Sequence, residues 1–357
     1  MIKIKFFTVV VLSLILNSCS GQKSKNEIKE SISSEKKLEE SKPDTPNTEN
    51  FLFYSDINNQ ISQVVRTIFQ DSKGIFWFGT QNGAFKFDGN SLIHIDSIKN
   101  ESGKGVTIKD IAEDKDGKIW FGHEGGISSI DKKVVTNYYE SDGLISNDVW
   151  CITTDRSNQV WIGTIEGVCK FDGKNFTSFE LPEGLKDTKV GISSTKMIHN
   201  IMEDSGGRIW FSTNGGIYIK DRTSLTNLSE KDGLHTPFVN EVIETHKGDF
   251  LISTSQGLYK YQKGIITEVT GNLFEETKGT GSIIEDSNGN IWFNCSRSIY
   301  SLKNTDLTEY RISEGNYGPL TFQIYEDQQK RLWFVGYGGA FRLEKGKFIN
   351  ITKDRPW

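Results

Sequence analysis

Apolar and polar residues alternate with a period of two along short runs of this chain, and the runs come in sets of four. In the first set they occupy 64–70, 75–79, 84–88 and 92–96. Alternation rich in β-branched and aromatic residues predicts half-buried strands. The second run of the set, Phe76-Trp77-Phe78-Gly79, returns around Trp120, Trp161, Trp210, Trp292 and Trp333, and Leu251 holds the equivalent place between Trp210 and Trp292. Successive marks lie 43, 41, 49, 41, 41 and 41 residues apart, which predicts seven units. The turn after the first run ends on Gly74, Gly117, Asn158, Gly207, Gly248, Gly289 and Lys330 in turn. The next turn ends on Gly83, Gly126, Gly167, Gly216, Gly257, Ser298 and Gly339. Gly and Asn accept the positive φ that tight turns impose.

A sheet of four short strands has apolar faces it cannot cover alone. Radial packing of successive sheets covers them, with each second-strand Trp filling the space between neighbours. The prediction is an all-β fold, a seven-bladed β-propeller of four-stranded antiparallel blades, over residues 51–357. A β-sandwich does not predict sevenfold self-similarity. Residues 51–56 and 347–352 both read as outermost strands, eight for seven blades, and the pattern leaves open which one closes the ring.

Before residue 51 the pattern changes. Lys3 and Lys5 precede an apolar run from Phe6 to Leu16, too short for the roughly 20 residues that span a bilayer. Residues 1–18 read as a signal peptide, and Leu16-Asn17-Ser18-Cys19 resembles the bacterial lipobox, with Cys19 as the acylated residue. Residues 19–50 hold almost no large apolar side chain and are expected to form a disordered tether. The expected location is the cell envelope, held to the membrane by lipid. Ser20 rather than Asp after the Cys points to the outer membrane rather than the inner.

Charge is mild, with 42 Lys and Arg against 47 Asp and Glu for a net charge of −5, so nucleic acid is not expected as a partner. Export would permit disulfides. Cys151 and Cys169 nonetheless fall on strands separated by a third, and Cys295 lies three units away, so three buried free thiols are expected. The five histidines, His94, His123, His199, His235 and His246, show no metal-binding spacing, and the turn acids lack the density of a calcium loop. No cofactor or metal is expected.

The stretch Gly143-Leu144-Ile145-Ser146-Asn147-Asp148-Val149-Trp150-Cys151-Ile152-Thr153-Thr154-Asp155, followed by Val160-Trp161-Ile162-Gly163-Thr164, resembles the two-component regulator propeller repeat. The likeness extends over 51–357 and implies the propeller fold. It also implies a sensory role, since such propellers often form the periplasmic part of hybrid histidine kinases that respond to glycans or other extracellular cues. No kinase core or membrane span follows Trp357 here, so a signal is expected to pass to a separate sensor kinase or envelope complex. A more distant likeness is to virginiamycin B lyase-type propellers, which use His and Glu with a magnesium ion. His199 with Glu241, or His123 with Glu124, would take those roles, but the closely spaced His-x-Glu cluster is absent.

The leading expectation is therefore a binding or sensory module, with an enzyme and an envelope scaffold as alternatives. The site is expected at the channel mouth, where side chains from all blades converge. Counting five residues back from each turn Asp position gives Arg66, Lys109, Trp150, His199, Asn240, Gly281 and Phe322, a mixed set. Further along the same strands the set is uniform: Ile68, Ile111, Ile152, Ile201, Val242, Ile283 and Ile324. A mixed ring of cations, aromatics, an imidazole and an amide suits a polar or anionic ligand stacked on an aromatic face, as sugars and uronates are held. The long loop 180–196 is expected beside it, with His123, Arg297 and Tyr337 reaching in from neighbouring turns.

Overall fold

The computed structural model describes residues 59–186, 194–271, 273–274, 278–311, 319–354 and 357. The signal peptide, Cys19, the tether, the candidate strand 51–56 and the middle of the long loop lie outside the described residues.

Seven antiparallel sheets of four strands follow one another along the chain, each formed by consecutive strands. The first blade runs Val65–Gln70, Phe76–Thr80, Gly83–Phe87 and Leu92–Ile95, within one residue of the sequence expectation. The first strand of each blade faces the axis. These inner strands are Val65–Gln70, Ile108–Glu113, Val149–Thr154, Ile198–Glu203, Val239–Glu244, Thr280–Glu285 and Leu320–Glu326. The outermost strand of the last blade is Lys347–Ile351, so this terminal run completes seven fours.

The predicted turn positions take positive φ, and Lys330 does so at φ 65° although it is not glycine. The sixth blade departs from the expectation at its second turn, where Ser296 rather than Ser298 turns left-handed.

Each second-strand Trp is buried and reaches into the following blade. Trp77 meets Phe121 edge-on at 5.7 Å, Trp210 stacks on Phe250 at 4.2 Å, and Trp333 packs on Phe76 of the first blade at 5.1 Å. The last contact shuts the ring, and Trp357 lies flat on Phe87 of the first blade at 3.8 Å. Backbone bridges Gln60 to Thr352 and Val64 to Tyr337 tie the same seam.

Two hydrogen-bonded belts hold the end of the channel opposite the mouth. Within blades, Asp71 accepts the backbone N–H of Lys73 and Ile75 on one oxygen and the indole N–H of Trp77 on the other. The indole bond recurs from Trp120 to Asp114, Trp161 to Asp155, Trp210 to Asp204, Trp292 to Asp286 and Trp333 to Asp327. Between blades, a carboxylate or amide caps a turn N–H of the blade before it, at all seven seams. Glu113 accepts from Ser72, Asn158 from Lys115, Glu203 from Arg156, Glu244 from Ser205, Glu285 from His246, Glu326 from Ser287 and Gln70 from Gln328. Turn N–H groups that the strands cannot pair are thus satisfied from within the fold.

Candidate ligand site at the channel mouth

Every inner strand carries a β-bulge at the same place. In six blades the residue left out of register is Arg66, Lys109, Trp150, His199, Asn240 or Phe322. In the sixth blade both Gly281 and Ser282 are left out. A bulge frees one residue from the ladder and re-aims its side chain. The facing residue on the second strand is often glycine because space is tight: a Cβ on Gly79 would lie 2.5 Å from Thr67 and 2.8 Å from Ile108 of the next blade.

All seven mouth positions read from the sequence line one cavity of about 340 Å³. The bulge also turns the following residue inward. Thr67, Asp110, Cys151, Asn200, Glu241, Ser282 and Gln323 form a second ring in the same cavity. Strict alternation sends these residues the other way, and for that reason sequence reasoning missed them. The signal that could have found them is the pair of acids, Asp110 and Glu241, in strands whose next buried position is aliphatic. Beneath them the uniform ring of Ile68 and its counterparts is buried in every blade.

The two cations of the mouth are in different states. Lys109 is ion-paired with Asp148 of the loop leading into the third blade, and its ammonium sits 4.0 Å from the centre of the Trp150 ring. Burial pulls the Lys109 amine below its usual range. Arg66 places its guanidinium 4.7 Å from the Phe322 ring centre and 5.7 Å from that of Trp150. Phe322 is extended on its other side by Tyr337, centroid to centroid 5.0 Å. Among the described residues Arg66 has no carboxylate partner.

The remaining arc holds His199 and Asn240. His199 bonds Asn214 at 2.6 Å and packs on Phe238, and burial lowers its pKa. Asn240 donates to the carbonyl of Thr280. In the second ring, Asp110 accepts the N–H of Ile111 and Ile152, and Glu241 accepts that of Ile283. Burial raises the pKa of both carboxyls to about 7, with Asp110 pushing Glu241 further upward. Asn200 Oδ1 and Trp150 Nε1 are buried with no hydrogen-bond partner among the described residues.

Other sequence candidates fall elsewhere. His123 is fully buried, bonded to Ser128 and accepting the N–H of Gly125, and burial drives its pKa down to about 3; it braces a turn and does not line the cavity. Arg297 is exposed on the turn of the sixth blade and does not line the cavity either. Tyr337 is exposed and reaches the mouth only through Phe322. The described start of the long loop runs over the outer strands of the fourth blade, where the Tyr218 hydroxyl donates to the Pro182 carbonyl; it forms a groove of its own there. Its far end approaches the mouth, with Asn214 donating to the Ser194 carbonyl. Cys151, Cys169 and Cys295 are buried free thiols. Of the pairs considered for lyase-type chemistry, His199 and Glu241 line the cavity and His123 and Glu124 do not. Among the described residues no three His, Cys, Asp or Glu side chains gather as a metal site.

The sequence pattern of the two component regulator propeller matches residues 59–82, 102–125, 143–166 and 191–215. Four segments of the chain carry the two-component regulator propeller repeat. The matched regulator-propeller segments include the first two strands of the first four blades, and so four of the seven bulged mouth residues. No curated protein sequence matches the chain. Solved structures that resemble it include a catalytically inactive virginiamycin B lyase from Staphylococcus aureus with quinupristin, at TM-score 0.53 and 18% identity over 68% of this chain and 83% of that one. YCF48 bound to D1 peptide aligns at TM-score 0.59 and 9% identity, over 80% and 93% of the two chains. The extracellular domain of a putative one component system from B. thetaiotaomicron aligns at TM-score 0.41 and 17% identity, and this chain covers 52% of it. At these identities the likeness is one of fold.

Proposed function

We propose that this regulator propeller is an extracytoplasmic sensory module that binds a small polar ligand of carbohydrate type at its channel mouth. In this reading Cys19 carries the acyl chains, the outer membrane is the anchoring surface, and a partner protein receives the signal. The observation that carries the reading is the contrast between rings. One bulged residue from each of seven blades lines a single cavity, and the seven are all different, whereas the ring beneath is aliphatic throughout. A ring kept only for packing has no need of that variety. Trp150 and Phe322 bring aromatic surface to the cavity, part of it already covered by Lys109, Arg66 and Tyr337, and Asn200, Asp110 and Glu241 offer acceptors, the two kinds of group a sugar's apolar face and hydroxyls require.

Two experiments test the parts separately. Cys19→Ala should abolish palmitate labelling and release the protein from the membrane fraction; unchanged labelling ends the lipoprotein claim. A glycan array should yield a ligand whose binding is weakened by Trp150→Ala and by Arg66→Ala while the melting temperature stays nearly constant. Retention of binding in both, with loss on changing the opposite face at Asp116 or Lys330, moves the site. A lyase-like reaction is the second reading, favoured by His199 and Glu241 facing one cavity. Metal-dependent turnover of a cyclic lactone would establish it.

A further inference from the structure

Nothing so far fixes the charge of the ligand, but the two mouth cations do. Lys109 is spent on Asp148 and buried against Trp150. Arg66 has the opposite surroundings: half-buried, it lies against two aromatic rings with no carboxylate among the described residues. Rings next to a guanidinium cover its faces and leave the N–H edge as the polar outlet. That edge is a planar fork matched to two oxygens of one acid group. The same rings displace water from the faces of the guanidinium, so an anion seated at its edge interacts more strongly than in open solvent.

The rest of the cavity sets the other limit. Burial disfavours the charged form of His199, and among the described residues the one other cation lining the space is the ion-paired Lys109. The Asp110 and Glu241 carboxyls stand in the second ring. A second anionic group would meet carboxyls and, among the described residues, no cation free of a carboxylate partner. Hydroxyls fit there instead, since they can donate to Asp110, to Glu241 and to Asn200 Oδ1, which is buried and unpartnered among the described residues. The volume of about 340 Å³ is at the lower end for small-molecule sites, which run from about 300 to 1,000 Å³.

We infer that the ligand is an acidic sugar of the uronate class, a hydroxyl-rich body bearing one carboxylate that docks on Arg66 between Phe322 and Trp150. The inference rests on the carbohydrate reading of the mouth and narrows it. A carboxylate is favoured over a sulfate ester because it is planar. It can continue the plane of the guanidinium between the rings, whereas a tetrahedral group turns an oxygen toward one of them.

Isothermal titration of the full-length lipidated protein in detergent tests this with D-glucuronate and D-galacturonate, their neutral parents glucose and galactose, and the 6-sulfates of the same sugars. At least one uronate should bind, and its parent sugar should bind about tenfold or more weaker, the scale of a charge-assisted hydrogen bond. Arg66→Met, which keeps the length and apolar contact of the side chain, should remove that preference. Arg66→Lys should restore part of it, through charge without the fork, and serves alone should the Met variant not fold. Equal affinity for uronate and parent, or uronate binding unchanged in Arg66→Met, overturns the carboxylate assignment and leaves the mouth site standing. An Arg66-dependent preference for a 6-sulfate overturns it in favour of a sulfate ester. Binding of no sugar in the set overturns the uronate inference, while the site itself is judged by the Trp150→Ala test on whatever the array yields.

Discussion

At the turn end of the channel, Asp71 and its counterparts spend both oxygens on their own blade, and a carboxylate or amide from the next blade caps each turn. At the mouth, the same inner strands leave Arg66 without an acid and Asn200 Oδ1 and Trp150 Nε1 without partners among the described residues. At one end the cap between blades recurs at all seven seams and the Asp to Trp bond in six of the seven blades, and the other end is open and different in every blade. Since unsatisfied buried polar groups each cost about 1–3 kcal/mol, the stability of the ring must come from the closed end and the Trp layer. The difference teaches where changes should register: in stability at one end, in binding at the other.

The largest test of that division is Trp120→Ala. Trp120 is fully buried between blades two and three, stacks on Tyr138 and meets Phe171 edge-on. Truncation should cost about 3–5 kcal/mol, the range for large aromatic core residues, and also strips Asp114 of its indole donor. Urea unfolding measures it. A loss below about 1 kcal/mol would show that the Trp layer does not carry the ring.

The two ends should also respond to pH with opposite sign. Asp155, Asp204 and Asp286 are desolvated, which alone would raise them, but N–H and hydroxyl donors outweigh this and hold them below the usual carboxylate range. Their stabilisation is present above that range and is lost as pH falls below it. Asp110 and Glu241 behave the other way. The folded state keeps their protons up to about pH 7, whereas the unfolded chain releases them near about pH 4. Folding therefore takes up protons in that window, and stability should fall as pH rises from about 4 to about 7, by on the order of 1–4 kcal/mol per group. Asp110→Asn with Glu241→Gln should flatten the slope on that side and leave the acid limb in place. An unchanged slope would mean that the mouth carboxyls ionise freely.

The sevenfold period, the blade composition and the seven mouth positions were legible because each depends on a local repeat: a Trp mark, a turn residue, a fixed count back from it. The second ring was not, because a bulge breaks the period of two, and no residue type marks it across blades that carry Arg66, Trp150 and Gly281 at the same place. His123 looked like a mouth residue by position, but its partner Ser128 lies on the adjoining strand and draws the ring inward. Closure was undecidable from the pattern, since two terminal runs read alike; Lys347–Ile351 pairs with its own blade. The Asp to Trp bond was visible in principle. The two residues stand six apart in six units, and the unit that has Leu251 for Trp also has Thr245 for Asp.

That paired absence gives the smallest and most discriminating prediction. In the fifth blade Leu251 is buried among Ile283, Phe293 and Leu258, and Thr245 Oγ1 is buried with no hydrogen-bond partner among the described residues. If Asp and Trp are exchanged together because the indole bond joins them, installing one without the other should be unfavourable. Leu251→Trp alone overfills a space already packed and leaves its N–H unpaired, at about 1–3 kcal/mol. Thr245→Asp alone can accept the turn N–H groups, as Asp71 does, but buries an oxygen with no indole to meet it. The double variant restores the pair, and the overpacking remains in both Trp backgrounds and cancels from the cycle. The coupling measured by chemical unfolding of the four proteins should therefore be favourable by about 1.5 kcal/mol or more, the lower end for a hydrogen bond to a charged group. Additivity within about 0.5 kcal/mol would show instead that positions 245 and 251 are not coupled, and that the turn belt does not depend on the Trp layer it touches.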